Sequence, residues 1–234
     1  MDLKNANVLL TGGSSGIGKE TAKQLVLNGA KVVITGRNLD KLNAAATEIG
    51  AIPLHFDVSD LESIEGAVAE TLSLLDGKID VLINNAGIGV FPELGGISAE
   101  DLQSVYTTNV FGLTLLTQEV VKSFKAQEYG NIINIGSTAS KKGFARGTVY
   151  AASKFAVRGM TQCWQAELRK FNIRVALVNP SEVATAFASE ERVERPEAPN
   201  KLGALEIAHS IVSLLEMRDK GFIPEVDVWA TNPF

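Results

Sequence analysis

The sequence predicts a doubly wound α/β fold, a parallel sheet of about seven strands with helices on both faces. Three observations carry this reading. Short β-branched runs alternate with longer helical stretches nearly to the end of the chain, the pattern of strands joined by helical crossovers. The strand runs, such as NVLLT (7–11) and KVVIT (31–35), are almost continuously apolar, which marks strands buried on both faces. A glycine-rich turn, TGGSSGIG (11–18), lies between the first strand and the first helix. At 234 residues, 45% of them hydrophobic and 21% charged, the chain fits one large domain with its own core, here residues 1–234.

The elements follow in order. Asn7–Thr11 is the first strand, and a helix runs over about Gly16–Asn28 until Gly29 stops it. Lys31–Thr35 is the second strand, followed by a helix at Leu39–Ile49 and a strand at Ile52–Phe56. Asp60 is placed to cap the next helix, which runs to about Leu75. Strands at Val81–Asn84, Ile132–Gly136 and Val175–Asn179 are separated by long helices near Ala99–Ala126 and Val149–Phe171. A helix at Ala204–Met217 and a strand near Val226–Ala230 complete the set. Ser181–Gly203, rich in Glu, Arg and Pro, is too polar for core and too long for an idle connection, so it reads as a mobile substrate loop.

Composition excludes several functions. A net charge of −5 argues against nucleic acid or an anionic membrane as partner. Cys163 is the only cysteine and the two histidines, His55 and His209, lie far apart, so neither an internal disulfide nor a metal site is expected. No apolar run approaches the ~18 residues that span a bilayer. Met1–Asn5 leads straight into a strand, leaving no room for a signal peptide, and the expected location is cytoplasmic.

Open parallel sheets bind ligands outside the carboxyl ends of their strands, and each candidate site falls there. Gly12, Gly13, Gly16 and Gly18, with Ser14, Ser15 and Ile17 between them, let a backbone approach a pyrophosphate at a helix N-terminus. The spacing differs from G-x-G-x-x-G, but the physics is the same. After the second strand stand Gly36, Arg37 and Asn38, where an NAD site usually carries a carboxylate. A guanidinium there suits a 2′-phosphate, so NADP(H) is expected in preference to NAD(H). Asp57 and Val58 close the third strand; the acid either accepts from an adenine amino group or is a plain turn aspartate. Asn84-Asn85-Ala86-Gly87 ends the fourth strand, its amides able to brace strand ends and its small residues able to underlie a flat nucleoside.

Tyr150-Ala-Ala-Ser-Lys154 puts a phenol and an ammonium on one helical face. A free phenol, with a pKa of about 10, does little acid–base work at neutral pH, and a neighbouring ammonium favours the phenolate.

The ordered set TGGSSGIG (11–18), NNAG (84–87), Asn109, Ser137 and YAASK (150–154) resembles the short-chain dehydrogenase/reductase family, of its single-domain type. Arg37 is similar to the pattern of its NADP-preferring members. The resemblance implies a Rossmann-type fold and an oxidoreductase moving a hydride between nicotinamide and a carbonyl or secondary alcohol. It implies that Tyr150 is the general acid/base and that Ser137 bonds the substrate oxygen. Lys154 would hold the nicotinamide ribose and lower the Tyr150 pKa, while Asn109 would fix a water on a proton path. It further implies that Pro180, Val183 and Thr185 hold the carboxamide; Ser181 stands where the family commonly has glycine. Family members assemble as homodimers or homotetramers, and the last strand with its tail is a candidate contact.

Two questions about function follow. Lys141, Lys142 and Arg146 either draw an anionic substrate or acidic carrier protein, as in 3-oxoacyl-carrier-protein reductases, or form a solvated surface cluster. Phe144 and Phe187 either line an apolar pocket or simply pack. The alternative to an enzyme is a catalytically silent NADP(H)-binding regulator on the same fold.

Overall fold

A computed structural model of the chain describes residues 1–183, 187 and 200–233. Seven strands form one sheet in the order β3-β2-β1-β4-β5-β6-β7, every neighbouring pair parallel. The strands are β1 (Asn7–Thr11), β2 (Lys31–Gly36), β3 (Ile52–His55), β4 (Val81–Asn84), β5 (Gly130–Ile135), β6 (Ile173–Pro180) and β7 (Glu225–Val228). The helices are α1 (Gly16–Leu27), α2 (Leu39–Ile49), α3 (Ile64–Leu74), α4 (Ala99–Tyr106), α5 (Leu113–Ala126), α6 (Thr148–Leu168) and α7 (Ala204–Glu216).

The apolar strands divide their side chains between two cores, as the period of two requires. Val8, Leu10, Val32, Ile34, Val81, Ile83, Ile133 and Val178 face α1, α2 and α7, meeting Leu25, Leu42 and Ile211. Leu9, Val33, Leu82, Ile132 and Val175 face the other way, onto Val68 of α3 and Leu116, Val120 and Phe124 of α5. At ~25 cal/mol per Å², fully burying one Leu or Ile is worth about 1.5–3 kcal/mol. Continuous apolar strands therefore commit the sheet to cover on both sides. Strand order reverses between β1 and β4, opening a crevice at their carboxyl ends.

The structure departs from the sequence expectation in two places. The Asp60 side chain accepts no capping hydrogen bond; a 3₁₀ turn at Leu61–Ser63 precedes α3 instead, with the Ser63 hydroxyl donating to the Asp60 carbonyl. The long helix expected near 99–126 is interrupted by a π-helical turn, Thr107–Gly112. Gly112 is needed there, because a Cβ would lie 2.0 Å from the Val58 carbonyl oxygen. The turn after β3 and the π turn thus touch backbone to backbone. Most of the loop expected to be mobile lies outside the described residues.

Candidate active site

The glycine-rich turn is built around close approaches. Gly12 and Gly16 have φ of 69° and 52°, the left-handed region that glycine enters without strain. A Cβ on Gly18 would sit 2.2 Å from the Gly12 carbonyl oxygen, and one on Gly13 would sit 2.5 Å from Ile34 Cβ. Ser15 precedes α1 with no side-chain cap, and the helix has no acidic residue in its first turn. Its first-turn amides form the positive end of the helix dipole, with no competing carboxylate beside them. Ser14 lies against Gly36, where a Cβ would come 3.3 Å from its Oγ.

Asn85 holds this turn. Its Nδ2 donates to the carbonyls of Thr11 and Gly12, both at 2.9 Å. Thr11 Oγ1 in turn accepts from the amides of Asn85 and Ala86, both at 3.1 Å. The carboxyl ends of β1 and β4 are thereby stitched together across the switch point. Asn84 works elsewhere: it is buried, and its Nδ2 donates to Thr117 Oγ1 and Asn134 Oδ1, bracing β4, β5 and α5 beneath the crevice. The motif's bracing role was readable in the sequence; which amide braces which partner was not.

Arg37 projects from the end of β2 with its side chain 59% exposed, Nε 3.9 Å from Asp57 Oδ2. Asp57 Oδ1 accepts from the amide and hydroxyl of Ser59, closing the turn after β3, while Val58 is buried. Asn38 caps α2, its side chain accepting from the Lys41 amide at 2.9 Å. No carboxylate stands at Gly36, so the group that would repel a 2′-phosphate is missing there.

The remaining candidates converge on α6. Tyr150 and Lys154 lie one turn apart, Lys154 Nζ being 5.9 Å from the Tyr150 ring centroid and donating to the Ile135 carbonyl at 2.8 Å. Ser137 begins the 3₁₀ turn after β5, its hydroxyl accepting from the Ala139 amide at 3.1 Å and hydrogen-bonding the Tyr150 phenol. Asn109 sits buried in the π turn; its amide exchanges two hydrogen bonds with the backbone of Ile88 and donates to Ser153 Oγ at 3.0 Å. Gly87 fits between them, since a Cβ there would come 3.3 Å from Asn109 Oδ1 and 3.7 Å from Lys154 Nζ.

Electrostatics correct one expectation. Burial pushes the Tyr150 phenol up to about 12, and the Ser137 hydrogen bond is the influence opposing it. Burial likewise lowers Lys154 to about 8. Both neutral forms gain, because desolvation penalises charge of either sign. The ammonium's nearest contact is the Ile135 carbonyl, not the phenol, and it does not draw Tyr150 down as the helical spacing suggested.

Lys141 is also not a substrate-facing cation. It pairs with Glu225 at 2.8 Å and Asp227 at 2.7 Å on β7. Arg158 joins Glu225, and Asn179 Nδ2 donates to both acids. Asn179 Oδ1 accepts from the Ser137 amide at 3.2 Å, so this ionic group anchors the serine turn from behind. Arg146 Nε bonds the Phe91 carbonyl at 2.9 Å. Pro180 ends β6, opposite Val228, and Val183 makes an isolated bridge with Leu202; Thr185 lies outside the described residues. Ser181 donates to the Val228 carbonyl and is not among the residues with positive φ, so its backbone has no need of glycine.

Sequence reasoning missed the individual roles of Asn85, Thr11, Ser153 and Gly112, and it missed Phe91 altogether. The first three stood inside recognised motifs. Phe91 carried no signal, because an aromatic in a loop after a strand reads as ordinary packing.

Among the described residues no three His, Cys, Asp or Glu side chains cluster as metal ligands, and no helix is long and apolar enough to cross a membrane. Residues 6–196 match the family described as short chain dehydrogenase. The chain is 41% identical to human (Homo sapiens) retinol dehydrogenase 8 over 186 residues, 77% of this chain and 60% of that protein. The match to the bovine (Bos taurus) protein covers 64% of its length, so the chain spans under two thirds of these curated relatives. It is 34% identical to an NADP-dependent 3-hydroxy acid dehydrogenase of Schizosaccharomyces pombe, covering 80% of this chain and 74% of that one. Among solved structures, an alcohol dehydrogenase of Thermococcus sibiricus complexed with 5-hydroxy-NADP superposes with a TM-score of 0.89 at 26% identity, covering 97% of both chains. With the crevice, the glycine turn and the Ser137–Tyr150–Lys154 grouping in place, these matches identify the chain as a member of the short-chain dehydrogenase/reductase family.

Proposed function

We propose that the protein is an NADP(H)-dependent oxidoreductase interconverting a carbonyl compound and an alcohol, with Tyr150 as the acid/base. The observation that carries this reading is the meeting of Ser137, Tyr150 and Lys154 at the carboxyl ends of β4 and β5, beside a glycine turn tethered by Asn85.

The fit to a dinucleotide rests on that turn. Gly12, Ser14, Ser15, Gly16, Ile17 and Gly18 would receive its pyrophosphate at the α1 N-terminus, and Arg37 with Asn38 the 2′-phosphate. Asp57 and Val58 would border the adenine, Ala86 and Gly87 the nicotinamide-side ribose, and Pro180, Val183 and Thr185 the carboxamide. When bound, the dinucleotide supplies the hydride donor or acceptor. The chain does the rest. Ser137 hydrogen-bonds the substrate oxygen and Tyr150 gives it a proton as negative charge develops there. A phenol with a pKa of about 12 stays protonated at neutral pH, which suits an acid serving carbonyl reduction. Lys154, held by the Ile135 carbonyl, would bind the ribose hydroxyls and returns protons to the site. Asn109 fixes Ile88 and the Ser153 hydroxyl, and through them the spacing between the π turn and α6.

Tyr150→Phe tests the reading. Turnover, followed by nicotinamide absorbance over a panel of ketones and aldehydes, falls by about 10²–10⁴-fold, while NADPH affinity stays near wild type. Turnover close to wild type in this variant overturns the assignment. Intact NADPH binding without turnover of any carbonyl by the wild-type protein would favour a silent regulator.

A further inference from the structure

The phenol of Tyr150 stands inside a sleeve of aromatic rings. Phe91, from the loop after β4, lies 5.5 Å from the Tyr150 ring, centroid to centroid, at an interplanar angle of 60°. Phe187 lies 5.5 Å away on a ring tilted by 57°. Phe144, half exposed, extends the wall outward from Phe91 at 6.1 Å. The three inner rings converge on Gly89, where a Cβ would come 2.8 Å from Phe91 Cζ, 3.1 Å from Tyr150 Cδ2 and 3.2 Å from Phe187 Cε1. Gly147 is bare for the same reason, a Cβ there lying 2.8 Å from the Phe144 ring. Gly89 therefore admits the two rings against the acid/base, and Gly147 the ring that extends the wall.

Two of the three cations near this wall, Lys141 and Arg146, are engaged with the protein, while Lys142 is exposed. Lys141 is held by Glu225 and Asp227 on β7. Arg146 donates Nε to the Phe91 carbonyl, so it fastens the loop that carries the inner ring. Among the described residues, the wall beside the Tyr150 phenol is aromatic carbon.

We infer that the substrate is a neutral carbonyl compound or alcohol with an aryl or extended alkyl skeleton, seated along Phe91, Phe187 and Phe144, and not a carboxylate or an acidic carrier-bound acyl group. This rests on the proposed function for the position of the reacting oxygen. An apolar wall rewards each buried methylene about fourfold in binding and leaves a carboxylate desolvated without a partner.

The test uses the NADP-loaded protein and its Tyr150→Phe variant, with dissociation constants measured by calorimetry. The probes are straight-chain methyl ketones of increasing length, acetophenone, and ketones bearing a terminal carboxylate. Affinity is expected to tighten about fourfold per methylene until the wall is covered, with neutral ketones bound at least about tenfold better than carboxylates of equal length. Phe91→Ala and Phe187→Ala are expected to flatten the dependence on chain length. An affinity independent of length, or a preference for the carboxylates, overturns the inference. Because binding is read separately from turnover, length-dependent affinity without turnover would sink the enzyme reading and leave the apolar site standing.

Discussion

Asn85→Ala should expose how the glycine turn is held. The wild-type amide donates to the Thr11 and Gly12 carbonyls at 2.9 Å each and fills the gap between two glycines: a Cβ on Gly18 would meet Asn85 Nδ2 at 2.5 Å, and one on Gly12 at 3.0 Å. Each hydrogen bond is worth about 0.5–1.5 kcal/mol net, so the substitution should destabilise the fold by about 1–3 kcal/mol. For a chain of this size that lowers Tm by roughly 2–4 °C per kcal/mol, or about 4–8 °C at the middle of the range. The cofactor effect adds to this. A turn that loses its tether must be ordered on binding, at about 1–2 kcal/mol for each residue newly fixed, so NADPH affinity should weaken about fivefold or more. Calorimetric unfolding and fluorescence titration with NADPH check the two parts. A Tm within about 1 °C of wild type together with an unchanged dissociation constant would refute the bracing argument.

Three further outcomes are expected. Lys154 titrates at about 8 in the fold against an ordinary 10.5, so between those values the unfolded chain holds a proton that the folded chain has released. Its contribution to stability therefore rises with pH across that window. Lys154→Met should lose this rise, and a Tm difference from wild type that is flat with pH would count against the buried-ammonium account. Arg37→Ala should raise the dissociation constant for NADPH by about tenfold and leave that for NADH nearly unchanged; equal losses for both would remove the 2′-phosphate role. Burial pushes the Glu225 and Asp227 carboxyls up, but the Lys141 bonds and those of Arg158 and Asn179 bring them below their ordinary values, giving stability that is lost as pH falls through the acid range. Lys141→Gln should cost about 1 kcal/mol near neutral pH and flatten the fall in stability through the acid range, without lowering affinity for neutral substrates; an acid dependence unchanged from wild type would argue against the β7 anchor.

Much of the fold was legible because strand and helix signals here are local and consistent. The apolar runs of β1, β2 and β4 fix where strands lie, and Gly29 and Gly50, both at positive φ, end the helices before them. The π turn was not legible. Nothing in Thr107–Gly112 distinguishes it from an ordinary helix until Val58 presses its carbonyl against Gly112, a contact between segments far apart in sequence. The candidate site was legible as a set of positions, since glycine spacing and the Tyr150–Lys154 interval are local patterns. Partner choice was not. Lys141 looked like a free cation beside the site, and only β7 reveals its two acids.

By itself the sequence determined that Tyr150 and Lys154 share a helical face, that the turn after β1 can hug a phosphate, and that the sheet is covered on both sides. These follow from backbone geometry and periodicity. The tertiary structure decided how those groups behave. Burial by β5, the π turn and the Phe91 loop sets the phenol at about 12 and the ammonium at about 8. Solvent exclusion is a property of everything packed around an atom, and no local spacing encodes it.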